Sequence, residues 1–183
     1  MLYKLNRRDK SNVQPVSNTT FAEIGWVEKD LEEILSKNIS SFLPDNQLFV
    51  IFQERQFQEE ADIFALDKDG KLFIFELKRW ASNQENILQV LRYGQKFGRY
   101  DYYALEEMYR SYKSDNSLSL QMEHAKHFSD KIDNPLIIDL FNVKQQFVIV
   151  TNGVDRETIE AIQYWKSQGL SIDCLPYKLY QIG

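Results

Sequence analysis

The run Ala61-Asp62-Ile63-Phe64-Ala65-Leu66-Asp67-Lys68-Asp69-Gly70-Lys71-Leu72-Phe73-Ile74-Phe75-Glu76-Leu77-Lys78 decides how the chain folds. Two apolar stretches flank Lys68-Asp69-Gly70. A three-residue connection ending in glycine suits a type I turn closed by a left-handed position, which glycine occupies without steric cost. The spacing therefore predicts a β-hairpin with Asp67 opposite Lys71. Counting back along both strands sets Asp62 opposite Glu76. Side chains alternate between the faces of a strand, so Leu72, Ile74, Glu76 and Lys78 share one face. Charged groups that follow an apolar run need partners, because burying either one alone is costly.

A salt bridge at the strand exit would account for Glu76 and Lys78 by themselves. The facing register adds Asp62, and that changes the chemistry. Magnesium often takes only one or two carboxylates, completing its octahedron with water and phosphate oxygens. Asp62 and Glu76 are the candidate metal ligands, with the Leu77 backbone carbonyl as a further one. Lys78, on the same face, can orient or help deprotonate a water and offset phosphate charge.

Outward from this hairpin the pattern is α/β. Apolar residues at Val27, Leu31, Ile34, Leu35 and Ile39 have helical spacing, so Trp26 to Ile39 is expected to be a helix. Pro44-Asp45-Asn46 reads as a turn, and Leu48 to Phe52 as a strand. Gln84 to Phe97 is predicted helical, with Ile87, Leu88 and Leu91 inward. Phe147 to Val150 reads as a buried strand. Asp155 can cap a helix whose inner face carries Ile159, Ile162 and Trp165, and Ser171 to Leu175 makes a last strand. A strand–helix–strand ending favours a parallel pair. The expected fold is a central mixed β-sheet flanked by helices. Residues 1–20, polar and aperiodic, read as a flexible arm, and 21–183 as one domain with a helical insertion at about 100–145.

At 183 residues, 43% hydrophobic and 27% charged, the composition is that of one globular domain. No apolar run approaches the roughly 18 residues needed to span a membrane, and Met1 to Lys10 contains no signal-peptide core. The single cysteine, Cys174, reads as a buried strand residue, and the lack of any second cysteine fits a cytoplasmic location. A net charge of −5 argues against non-specific coating of nucleic acid, which depends on neutralising phosphates.

An acid and, fourteen positions on, Glu-x-Lys on the strand leaving a hairpin resembles the PD-(D/E)XK nuclease superfamily. Ala61 stands where the proline of that motif would be. Gln89-Val90-Leu91-Arg92-Tyr93 fits the Gln-x-x-x-Tyr motif of one large subgroup, thirteen residues after the motif glutamate. Gln89 and Tyr93 lie one helical turn apart on a shared face, extended by Lys96 and bordered by Arg92. The motif order is similar to that of the nuclease domain of the archaeal mismatch and branched-DNA endonuclease, and of related bacterial proteins.

The resemblance implies a restriction-endonuclease-like sheet and magnesium- or manganese-dependent cleavage of DNA. It also picks Glu28 on the first helix as a further metal-site acid, with Glu32 one turn on as the reserve. The expected roles are catalysis for Asp62, Glu76, Lys78, Glu28, Gln89 and Tyr93, and nucleic-acid contact for Arg79, Arg92 and Lys96. Whether the chain forms a homodimer is left open. The competing expectation is an inactive module of the same fold that binds nucleic acid or a protein partner.

Overall fold

The computed structural model describes residues 2–6, 9–43, 47–53 and 61–181. In chain order the elements are β1 (Leu2–Asn6), β2 (Asp9–Val16), β3 (Asn18–Thr19), α1 (Glu28–Lys37), α2 (Ile39–Phe42), β4 (Phe49–Gln53), β5 (Ile63–Leu66) and β6 (Leu72–Lys78). There follow α3 (Gln84–Phe97), α4 (Tyr102–Lys113), α5 (Leu120–His127), β7 (Gln145–Thr151), α6 (Arg156–Ser167), β8 (Ile172–Pro176) and β9 (Leu179–Tyr180). Strands β4-β5-β6-β7-β8 form a five-stranded mixed sheet in that order. The first three run antiparallel, and β6, β7 and β8 are parallel. This is the expected mixed α/β architecture.

The hairpin adopts the register its sequence dictates, from Leu66↔Leu72 to Ile63↔Phe75. Gly70 takes φ 81°, and the Asp67 amide donates to the Lys71 carbonyl at 3.1 Å. The Asp62 amide donates to the Phe75 carbonyl at 3.1 Å, carrying the pairing one residue past the ladder. Even-numbered residues of β6 face one apolar layer, where Leu72 and Ile74 pack with Ile87, Val90, Tyr93 and Phe97 of α3. Odd-numbered ones face the other, where Phe73, Phe75 and Leu77 pack with Leu31 and Leu35 of α1. Both layers are buried, so β6 is a central strand covered on both faces until its last residue, Lys78.

Close packing of α3 on the sheet depends on Gly94. A Cβ there would lie 2.5 Å from Cζ of the buried Phe147. Gly94→Ala gains about 1 kcal/mol in helix propensity, but overpacking a core costs roughly 1–3 kcal/mol. At this separation the clash wins. We expect a net fall in Tm of at least ~2 °C by calorimetry; an unchanged or higher Tm would refute the packing argument.

Three sequence expectations are corrected. The first twenty residues, read as a loose arm, contain β1 paired antiparallel with β2, and β3 paired with β9. Backbone ladders need no buried apolar stripe, so periodicity does not register them. On α3 the buried residues are Ile87, Val90, Tyr93 and Phe97, whereas Leu88 is 58% exposed. Tyr93 and Phe97 rotate the apolar stripe toward the sheet, which leaves Leu88 outside. On α6 only Ile162 of the expected trio is buried; Ile159 and Trp165 stay partly in water. On α5, His124 is fully buried against Phe128 and Phe141, with Nε2 2.8 Å from the Asp67 carbonyl, and His127 packs on Phe49 and Phe128. The Pro44-Asp45-Asn46 turn lies outside the described residues.

Residues 100–145 supply α4, α5 and a short 3-10 turn at Ile138–Leu140. Tyr109 of α4 packs on Phe49 of β4 at 5.4 Å between ring centroids, so the insertion covers one end of the sheet. Cys174, on β8, is half-buried, and burial first, then Asp173, pushes its thiol pKa up. It packs against the apolar layer that holds Ile149, Ile162 and Ile172. Among the described residues, no helix is long and apolar enough to cross a membrane.

Candidate active site

Where β6 leaves the core, four charged side chains converge. Glu76 is 1% exposed, buried by the same packing that covers Leu72 and Ile74. Its carboxylate accepts a hydrogen bond from the Lys78 ammonium, two residues along the same face. Asp62, brought alongside by the hairpin register, accepts from the Leu77 amide at 2.5 Å. The N-terminal turn of α1 closes the cluster: Glu28 lies 3.8 Å from the Lys78 ammonium and accepts from the Arg79 amide at 3.1 Å. One turn further along α1, Glu32 is 3% exposed and paired with Lys29 at 2.6 Å.

Two of these acids crowd each other. Burial first, and then the neighbouring Glu76 carboxylate, push the Asp62 pKa up to about 8, against the pull of the Leu77 amide and Lys78. Glu32 adds to the same push from the helix side. Burial, the largest single influence, opposes the charge on Lys78, but the carboxylates of Glu76, Glu28 and Asp62 together outweigh it and hold the lysine pKa above its ordinary value. Lys78 is thus held as an ammonium between the Glu76 and Glu28 carboxylates.

The residues fit a hard divalent cation. Among the described residues no group of three or more His, Cys, Asp and Glu side chains forms a metal-binding cluster. Two carboxylates suffice for magnesium, which keeps several waters and takes phosphate oxygens from substrate. A buried acid pair under mutual repulsion is the arrangement that a cation relieves, since its charge inverts the local titration logic.

No family model and no curated protein matches the sequence. Two solved structures are similar in fold. One is an EndoMS–dsDNA complex, 15% identical, with a TM-score of 0.44, covering 81% of this chain and 44% of that one. The other is a repair endonuclease from Pyrococcus abyssi, 12% identical, with a TM-score of 0.42, covering 82% and 47%. The chain spans less than half the length of either. Likeness at this level carries no residue roles across.

The remaining candidates occupy α3 and its approach. Gln89 Nε2 donates to the Tyr93 hydroxyl at 2.8 Å, so the helical spacing does join this pair. Tyr93 lies in the same apolar layer as Ile74, on the side of the sheet that Glu76 faces. Arg92 and Lys96 are exposed on α3, and the Lys96 ammonium sits 4.7 Å from the Phe97 ring centroid. Arg79 lies outside the carboxylate pair, its guanidinium 4.1 Å from the Trp80 ring centroid.

Sequence reasoning missed two supports. The Tyr177 hydroxyl donates to the Lys78 carbonyl at 3.1 Å, and its ring meets Phe21 edge-on. Burial first, then the Glu28 charge, raises the Tyr177 pKa, so it remains a phenol donor. Thr151 Oγ1 donates to the Trp80 carbonyl at 2.7 Å, and the Ser82 amide donates to Thr151 Oγ1 at 3.0 Å. These contacts join positions 69 to 99 residues apart, and no local pattern marks them.

Proposed function

We propose that this chain is a magnesium- or manganese-dependent nuclease that hydrolyses phosphodiester bonds in DNA. The observation that carries the reading is the convergence of Asp62, Glu76 and Lys78 at one end of the central hairpin. Structural ion pairs are common, but a purely structural pair gains nothing from a second, strongly destabilised acid beside it. Perturbed carboxylates of this kind mark functional sites more often than scaffolding.

In this reading Asp62 and Glu76 hold the cation, with the Leu77 carbonyl as a further ligand. When bound, the cation polarises the phosphoryl oxygen and acidifies nearby water. The Leu77 amide fixes one Asp62 oxygen. Lys78 donates its proton-rich head toward the reacting phosphate, offsetting charge as it builds there. Glu28 steadies Lys78 and pins the Arg79 backbone, so α1 sets the width of the site. Gln89 and Tyr93 hold the phosphodiester backbone from the α3 side, and Arg79, Arg92 and Lys96 neutralise flanking phosphates. The motif order's resemblance to known nucleases favours DNA as the substrate.

The test is a cleavage screen over single-stranded, duplex, flapped and mismatched DNA with magnesium and with manganese, run beside Lys78→Ala. We expect metal-dependent products from the unsubstituted chain and about 10²-fold less from Lys78→Ala, the lower end of what a positioned proton donor supplies. No product from any substrate, together with no magnesium uptake by titration calorimetry, would favour the inactive binding module.

A further inference from the structure

Immediately beyond the carboxylate site the chain exposes a large aromatic ring that its own packing leaves uncovered. Trp80 is 58% exposed. An indole side chain offers 150–250 Å² for burial, so leaving one in water forgoes a substantial apolar gain. Its backbone is nevertheless firmly held, since the Trp80 carbonyl accepts from Thr151 Oγ1 and the adjoining segment bridges Ser82 to Val154. The Arg79 guanidinium lies against the ring at 4.1 Å and donates to the Trp26 carbonyl at 3.4 Å. Arg79 is itself anchored, its amide bonded to Glu28. One side of the indole thus carries a cation, while the ring stays more than half exposed.

We infer that Trp80, backed by Arg79, is a stacking platform for an unpaired base of the strand being cut, so the substrate is single-stranded or locally unpaired nucleic acid. The inference rests on the nuclease reading above and adds the substrate class to it. Trp80 follows Lys78 by two residues, at most about 7 Å of chain. A base stacked there belongs to a nucleotide next to the phosphate at Asp62 and Glu76. Charge complementarity favours this occupant over an apolar protein surface, because the Arg79 guanidinium lies against the ring and suits a phosphate next to the stacked base. Every base has a π-face, and within a duplex those faces are covered by neighbouring bases. Only an unstacked base can present one to Trp80.

The experiment measures fluorescence anisotropy of labelled oligothymidylate and of a labelled duplex in EDTA, so that nothing is cut. Trp80→Ala should weaken single-strand binding roughly tenfold to a hundredfold, leave the weaker duplex binding unchanged, and be largely rescued in Trp80→Phe. Intrinsic tryptophan fluorescence should be quenched by the oligonucleotide in the unsubstituted chain and not in Trp80→Phe. Equal single-strand binding by Trp80→Ala, equal losses for both probes, or no single-strand binding by the unsubstituted chain would each overturn the platform. These readouts need no metal and no turnover. Failure of cleavage with normal binding would therefore count against the nuclease reading and leave the stacking role standing.

Discussion

Glu76→Gln is expected to lower magnesium-dependent cleavage by ~10³-fold or more while leaving a folded protein. The size follows from the several kcal/mol of transition-state charge stabilisation that a bound cation supplies, at 1.36 kcal/mol per tenfold in rate. Glutamine keeps the volume and one carbonyl oxygen, so the 1%-exposed site is still filled. It removes the charge that pairs with Lys78 and that a cation needs. Circular dichroism and Tm, measured alongside activity, separate a lost ligand from a lost fold. The substitution also removes the nearest like charge from Asp62, so the Asp62 pKa should fall from about 8 toward the ordinary carboxylate range. Cleavage within tenfold of the unsubstituted chain would end the assignment of Glu76 as a metal ligand.

The second large effect is on stability. In the folded chain Asp62 keeps its proton up to about pH 8, whereas the unfolded chain releases it near 3.8. Between those values the native state binds more protons. Stability contributed by this carboxyl is therefore full below about pH 4 and is lost as pH rises toward 8. Asp62→Asn retains an oxygen to accept the Leu77 amide and never ionises. In the absence of metal it should melt above the unsubstituted chain at about pH 8, by roughly 4–8 °C if the buried charge costs about 2 kcal/mol. At about pH 4 the two should converge. Magnesium should then raise the Tm of the unsubstituted chain at alkaline pH, because only the native state binds it, and do little for Asp62→Asn. Parallel curves of Tm against pH for the two proteins would show that Asp62 is not a strained acid.

Much of this arrangement is legible in the sequence because it is local. Lys68-Asp69-Gly70 states the turn, the turn fixes the register, and the register sets Asp62 beside Glu76. Gln84 to Phe97 is helical to the residue, since Asn83 caps it by accepting from the Glu85 amide and its apolar period is clear. What escaped is long-range or carries no period. Tyr177 reaches Lys78 across 99 residues, β1 and β2 pair through backbone groups, and Trp80 carries no pattern that marks it as 58% exposed. Which α1 glutamate serves the site was undecidable from spacing, because both lie on one face. In the folded chain they divide the work: Glu28 meets Lys78 and Arg79, and Glu32 presses on Asp62 from deeper in.

The glycine-closed ribbon has a consequence for how this chain can drift over generations. Pleating sends successive residues to opposite sides, so adding or deleting a single position between Asp62 and the turn would point the aspartate away from its partner glutamate while leaving the hydrophobic content almost intact. Length changes in this segment are tolerable only in matched increments on both legs, like the teeth of two meshed gears. Such a slip would part the two carboxylates that the turn now sets side by side.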